Sequence, residues 1–152
     1  MKYEHTQPGW PLRLSLGITA AGFLAAAAIT PHELLPAPLA ILVGAALLSA
    51  VLGWMWGALT IRVNDGLLRW QFGLGWPRKS VPLDAIASVE TTRTTFWEGW
   101  GVHRTRRGWL YNVAGKDAVL IRKHDGKTLL LGTDEPRKLK AAPERAMGQV
   151  RH

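Results

Sequence analysis

Between Leu14 and Thr60 the only ionisable residues are His32 and Glu33. A stretch of this length has no charged face to turn toward water, which places it in lipid. A bilayer core of roughly 30 Å needs about 20 helical residues at about 1.5 Å rise each, and two segments supply them. Residues 11–29 are rich in Leu, Ala, Gly and Ile, with Arg13 at one end where its long side chain can snorkel to the headgroups. Residues 38–59 are apolar throughout. Between them Thr30-Pro31-His32-Glu33-Leu34-Leu35-Pro36 is a short, proline-bounded turn that makes the helices antiparallel neighbours. The pattern predicts a transmembrane hairpin over residues 11–59 after a cytoplasmic tail of residues 1–10.

The charge lies elsewhere. Seventeen of the nineteen Lys+Arg and nine of the eleven Asp+Glu follow Leu59, so the net charge of +8 sits almost wholly in the C-terminal part. Lys2 and Arg13 precede the first helix, the turn carries no Lys or Arg, and Arg62, Arg69, Arg78 and Lys79 follow the second. The positive-inside rule then puts both termini in the cytoplasm of a bacterial inner membrane. Trp10, Trp54 and Trp56 fall at the same cytoplasmic interface and serve as anchors. Gly53 and Gly57 form a GxxxG, and Gly17, Ala21 and Ala25 a small-residue stripe. Both let backbones approach closely, within the hairpin or against another membrane protein. The small residues at Ala25–Ala28 also suit a cleaved signal peptide. A second apolar span follows almost at once, however, and cleavage would put the basic part on the wrong side.

From Leu59 the periodicity changes to two. Leu59, Ile61 and Val63 alternate with Thr60 and Arg62, Asn64-Asp65-Gly66 makes a tight turn, and Leu68, Trp70 and Phe72 alternate with Arg69 and Gln71. Further strands are expected over 78–83, 86–94, 109–113, 118–123 and 127–131, which makes seven. Thr133-Asp134-Glu135-Pro136 starts a helix over about 134–147, which Pro143 should kink or shorten, and residues 148–152 form a tail. Seven short antiparallel strands should curl into a barrel or split barrel rather than leave apolar edges open.

The order of seven strands and one helix resembles the bacterial pleckstrin-homology-like domain, over roughly residues 58–147. Gly108-Trp109-Leu110-Tyr111-Asn112-Val113, Asp117-Ala118-Val119-Leu120-Ile121, Asp125-Gly126-Lys127 and Gly132-Thr133-Asp134-Glu135-Pro136 carry the likeness. The fold class it implies is membrane α+β: a transmembrane hairpin, then a seven-stranded antiparallel split barrel capped by a C-terminal helix. Some proteins with such a domain assist assembly of photosynthetic or respiratory membrane complexes, and the resemblance implies a role of that kind. The long basic first loop of the phosphoinositide-binding branch is replaced here by Asn64-Asp65-Gly66, and residues 134–147 lack that branch's helical tryptophan, so specific inositide binding is not implied.

Little in the sequence suits catalysis. With no cysteine there is no disulfide, thiol nucleophile or Cys-ligated metal. His5, His32, His103, His124 and His152 are scattered, and no HExxH, GxSxG, phosphate-loop or dinucleotide motif occurs. Asp84, Glu90 and Glu98 are carboxylates without an evident nucleophile or metal. Neither enzyme activity nor a cofactor or metal is expected. The distinctive stretch is Phe96 to Trp109, with Trp97, Trp100, Arg104, Arg106 and Arg107 as candidate contacts in a loop where no strand or helix pattern persists. Trp and Arg together suit a protein hot spot or a membrane interface; alternatively Trp97, Trp100 or Trp109 plugs the barrel. A pI near 10.5 also raises nucleic acid, but a membrane-adjacent cytoplasmic segment is basic anyway. Only two residues separate Trp56 from Leu59, about 7–10 Å when extended, so the domain has no free tether. The function expected is a non-catalytic accessory or assembly subunit docked on a larger membrane complex. A module for anionic lipid headgroups is the alternative, and an enzyme with an unrecognised site the third reading.

Overall fold

The computed structural model describes residues 2–31, 33 and 36–150; His32, Leu34 and Leu35 of the expected turn, and His152, lie outside them. The chain runs β1 (Tyr3–Pro8), α1 (Trp10–Ile29), α2 (Pro36–Met55), β2 (Ala58–Asn64), β3 (Leu67–Phe72), β4 (Arg78–Pro82), β5 (Ile86–Arg93), β6 (Gly101–Thr105), β7 (Gly108–Asn112), β8 (Asp117–Lys123), β9 (Thr128–Gly132) and α3 (Pro136–Val150). Both α1 and α2 have 20 residues and are long and apolar enough to cross a membrane. They pack through small side chains: Ala20 and Ala27 of α1 are buried, as are Ala46, Ser49 and Gly53 of α2. Ser49 satisfies its hydroxyl on the Ala45 carbonyl one turn back, at 2.8 Å.

The strands form two sheets, β1-β2-β3-β4 and β5-β8-β9-β7-β6. The alternating residues of β2 and β3 all turn into the space between the sheets: Leu59, Ile61, Val63, Leu68, Trp70 and Phe72 are buried against Val89, Val119, Ile121, Leu129 and Leu131. Trp70 meets Tyr111 edge to face at 5.1 Å between ring centroids. Asp65 and Gly66 both adopt positive φ, as the tight β2–β3 turn requires. Leu139 of α3 is fully buried in the same core. The helix start is as read: the Thr133 hydroxyl accepts the Glu135 N–H at 3.0 Å, with Pro136 first in the helix.

Several expectations need correction. Among the described residues there are nine strands, not seven, in two sheets that do not close into a barrel, and β7 pairs with β9 in parallel. Residues 3–8, read as a tail, are a strand paired with β2 along its whole length, from Tyr3 opposite Val63 to Pro8 opposite Ala58. The partner lies beyond both helices, so no local pattern announces the strand. Residues 101–105, read as loop, form the β6 arm of a hairpin with β7. The second helix covers Pro36–Met55 rather than 38–59, because the chain turns at Trp56-Gly57 to enter β2. The last helix runs through Pro143 to Val150, so the proline does not end it.

Because β1 and β2 are neighbours, the two helices are an insertion between adjacent strands of one sheet. Gly9 N–H donates to the Gly57 carbonyl at 2.9 Å, closing the ladder where the helices leave. The helix pair is thus held at both ends, and the N-terminal strand lies on the same side of it as the β domain.

Candidate membrane and partner surface

The helix pair carries most of the predicted packing and anchor residues. Gly53 is buried, and a Cβ there would sit 3.3 Å from Leu16 Cβ of α1. Gly57 lies beyond the end of α2, where a Cβ would fall 2.6 Å from Arg13 Cγ. The two glycines therefore serve packing within the hairpin. Gly17 and Ala21 do not: both are exposed on the outward face of α1, and a Cβ at Gly17 meets no atom within 4 Å. Trp10 and Trp54 are exposed at the end of the helix pair nearest the β domain. Trp56 differs from the anchor expected, since it packs against the core between the sheets.

The segment from Thr94 to Trp109 is more ordered than a loop. Thr95 and Glu98 form a reciprocal cap around a short helical turn, Phe96–Glu98. Arg107 then clasps that turn. Its guanidinium donates to both Glu98 carboxylate oxygens, at 2.8 and 3.0 Å through Nη2, to Thr92 Oγ1 at 2.9 Å and to the Arg93 carbonyl at 3.0 Å. Burial raises the Glu98 pKa, but the Arg107 hydrogen bonds, the Thr95 N–H and the Arg107 charge together hold it below the ordinary carboxylate range. Arg107, one of the expected contact residues, thus acts as an internal clamp, with its side chain 35% exposed. What the clamp presents is aromatic: Trp97 is 91% and Phe96 77% exposed, meeting edge to face at 5.7 Å. Trp100 is half exposed, as is Trp109, which stands opposite Arg104 in the β6–β7 hairpin. None of the three tryptophans plugs the core. Arg104 and Arg106 point into solvent.

This turn lies near the base of the helices. Thr94 N–H donates to the Lys116 carbonyl at 2.6 Å, and Gly115 and Lys116 line an apolar cleft of about 290 Å³ with Phe96 and Trp100. The same loop is tied to β1, because Gln7 Nε2 donates to the Ala114 carbonyl at 3.0 Å. Buried Asn112 shapes it from within, bonding the Gly115 carbonyl and the Ala114 N–H. No family model matches this chain, and no curated protein matches it.

The remaining ionisable candidates are dispersed. Glu90 pairs with Arg122 at 3.6 Å, and His5 meets Asp134 at 2.5 Å and Glu135 at 3.4 Å beside the α3 N-terminus. Among the described residues no three His, Asp or Glu gather in a metal-binding group. Two further exposed features are Phe96, which stands in the Phe96 to Trp109 stretch but not among its candidate contacts, and the β3–β4 loop with Leu74 and Trp76. Their signal was a large apolar residue at a loop tip, where water should select polar ones.

Proposed function

We propose that the chain is a non-catalytic accessory or assembly subunit of a larger membrane complex. It would be set in a bacterial inner membrane by α1 and α2, with both termini and a pleckstrin-homology-like β domain on the cytoplasmic side. The observation that carries this reading is the Phe96–Trp97 tip, two aromatic side chains almost wholly in water on a turn that Glu98 and Arg107 hold rigid. Rigid, exposed aromatics lose little conformational entropy on burial and are the side chains that dominate hot spots. Trp100, Arg104 and Arg106 extend the contact, and the doubly held helix pair fixes the direction in which the tip faces. Native mass spectrometry after gentle detergent extraction is the test. A stoichiometric companion, lost on Trp97→Ala, is expected; a free 16.7 kDa chain would contradict it.

The second reading, a sensor of anionic headgroups, is favoured by the closeness of the tip to the helix base. It requires that replacing Arg104 and Arg106 weaken vesicle binding in a salt-sensitive way. Nucleic acid and an unrecognised enzyme site have no comparable observation behind them.

A further inference from the structure

The β3–β4 loop, Gly73-Leu74-Gly75-Trp76-Pro77, turns two large apolar side chains outward: Leu74 is 53% and Trp76 63% exposed. Strand β3 runs antiparallel to β2 and so back toward the helices, reaching Phe72 opposite Leu59, near the start of β2. The chain then overshoots that start and lies against the last turn of α2. A Cβ at Gly73 would stand 2.6 Å from the Met55 carbonyl oxygen and 2.8 Å from that of Trp54. Gly73 N–H also donates to the Ala58 carbonyl at 3.0 Å, and Gly75 N–H folds the tip back onto the Phe72 carbonyl at 2.6 Å. Leu74 and Trp76 therefore lie near the level of exposed Trp54, and of Trp10 at the start of α1. Arg78 and Lys79 follow at once on β4, both exposed.

Apolar and aromatic side chains backed by cations match the headgroup layer of a bilayer, where rings sit at the hydrocarbon boundary and Lys or Arg meets phosphate. We infer that this loop is a third membrane contact: Leu74 and Trp76 enter the headgroup–acyl boundary of the leaflet that α1 and α2 leave, with Arg78 and Lys79 among the lipid phosphates. The inference rests on α1 and α2 spanning the membrane. It adds what two helices cannot supply, a point off the line joining their ends, which fixes the tilt of the β domain. Gly73 is the hinge of the contact, since a side chain there would push the loop away from α2.

The chain has no cysteine, so a nitroxide can be placed at one introduced thiol at a time. Leu47→Cys, Leu74→Cys and Lys127→Cys would be reconstituted separately as full chains, in vesicles of phosphatidylcholine with and without phosphatidylglycerol. Collision with oxygen and with a water-soluble nickel chelate then reports depth. Position 47 should see oxygen only and position 127 mainly nickel. Position 74 should show a several-fold higher oxygen-to-nickel ratio than 127, rising further with phosphatidylglycerol. A label at 74 as open to nickel as that at 127, with 47 in lipid, would overturn this inference alone. Protection of 74 from both reagents would mean that protein covers the loop, and would overturn it too. Nickel access at 47 would remove the membrane reading itself.

Discussion

At Gly57 a single added methyl would have to share space with the Arg13 side chain, whereas at Gly17 it would meet nothing within 4 Å. Gly57→Ala is therefore expected to lower stability by about 1–3 kcal/mol, and Gly17→Ala to stay within about 0.5 kcal/mol, in thermal unfolding in detergent. The chain's two tyrosines give a spectroscopic check. Burial, with Glu135 and Asp134 adding to it, pushes the Tyr3 hydroxyl up to about 12, and burial also raises Tyr111. Ultraviolet titration should show neither phenol half-ionised at its ordinary value near 10. Stability held through protonated Tyr3 is complete below that value and fades as pH rises through about 12. Glu98 has the opposite sign. Its lowered pKa means that the clasp is intact above the ordinary carboxylate value and is released as pH falls through the lower one. Hydrogen exchange should therefore show residues 94–100 losing protection first on acidification. Arg107→Ala should reproduce that loss at neutral pH, costing about 1.5–3 kcal/mol locally.

Among the elements, β1 decides how the helices are held. Thr6 and Thr60 face each other across β1 and β2 with hydroxyl oxygens 2.8 Å apart. Thr6→Cys with Thr60→Cys should form a disulfide readily under mild oxidation, detected as a blocked thiol pair by mass; two persistently free thiols would speak against the pairing. Gln7→Ala should cost about 1 kcal/mol by removing the bond to Ala114. The contrast between legible and hidden elements has a physical basis. The β2–β3 hairpin and α3 announce themselves because alternation, an Asp-Gly turn and a Thr133 cap act over neighbouring residues. β1 is hidden because its six residues gain a partner only after some fifty residues of helix and turn have folded back. β6 is hidden because its one large apolar residue, Val102, lies with Arg104 on the exposed face, while Gly101, His103 and Thr105 take the half-buried one, so polarity does not follow the alternation. At the surface, Trp97 and Trp100 were legible as costly side chains in water. The role of Arg107 was not, since its four oxygen partners come from residues 92, 93 and 98.

For the whole molecule the consequence is a single unit. Helices long enough to cross a bilayer are spliced between two adjacent strands, and exposed aromatic residues gather around their base. If that unit sits in a membrane, both arms of the splice must lie on one side of it. Single-cysteine chains Thr6→Cys and Lys127→Cys, in sealed spheroplasts treated with a membrane-impermeant maleimide, test this most directly. Neither thiol should react until the membrane is permeabilised, after which both should. Labelling of either from outside, or recovery of the chain in solution without any amphiphile, would contradict the account.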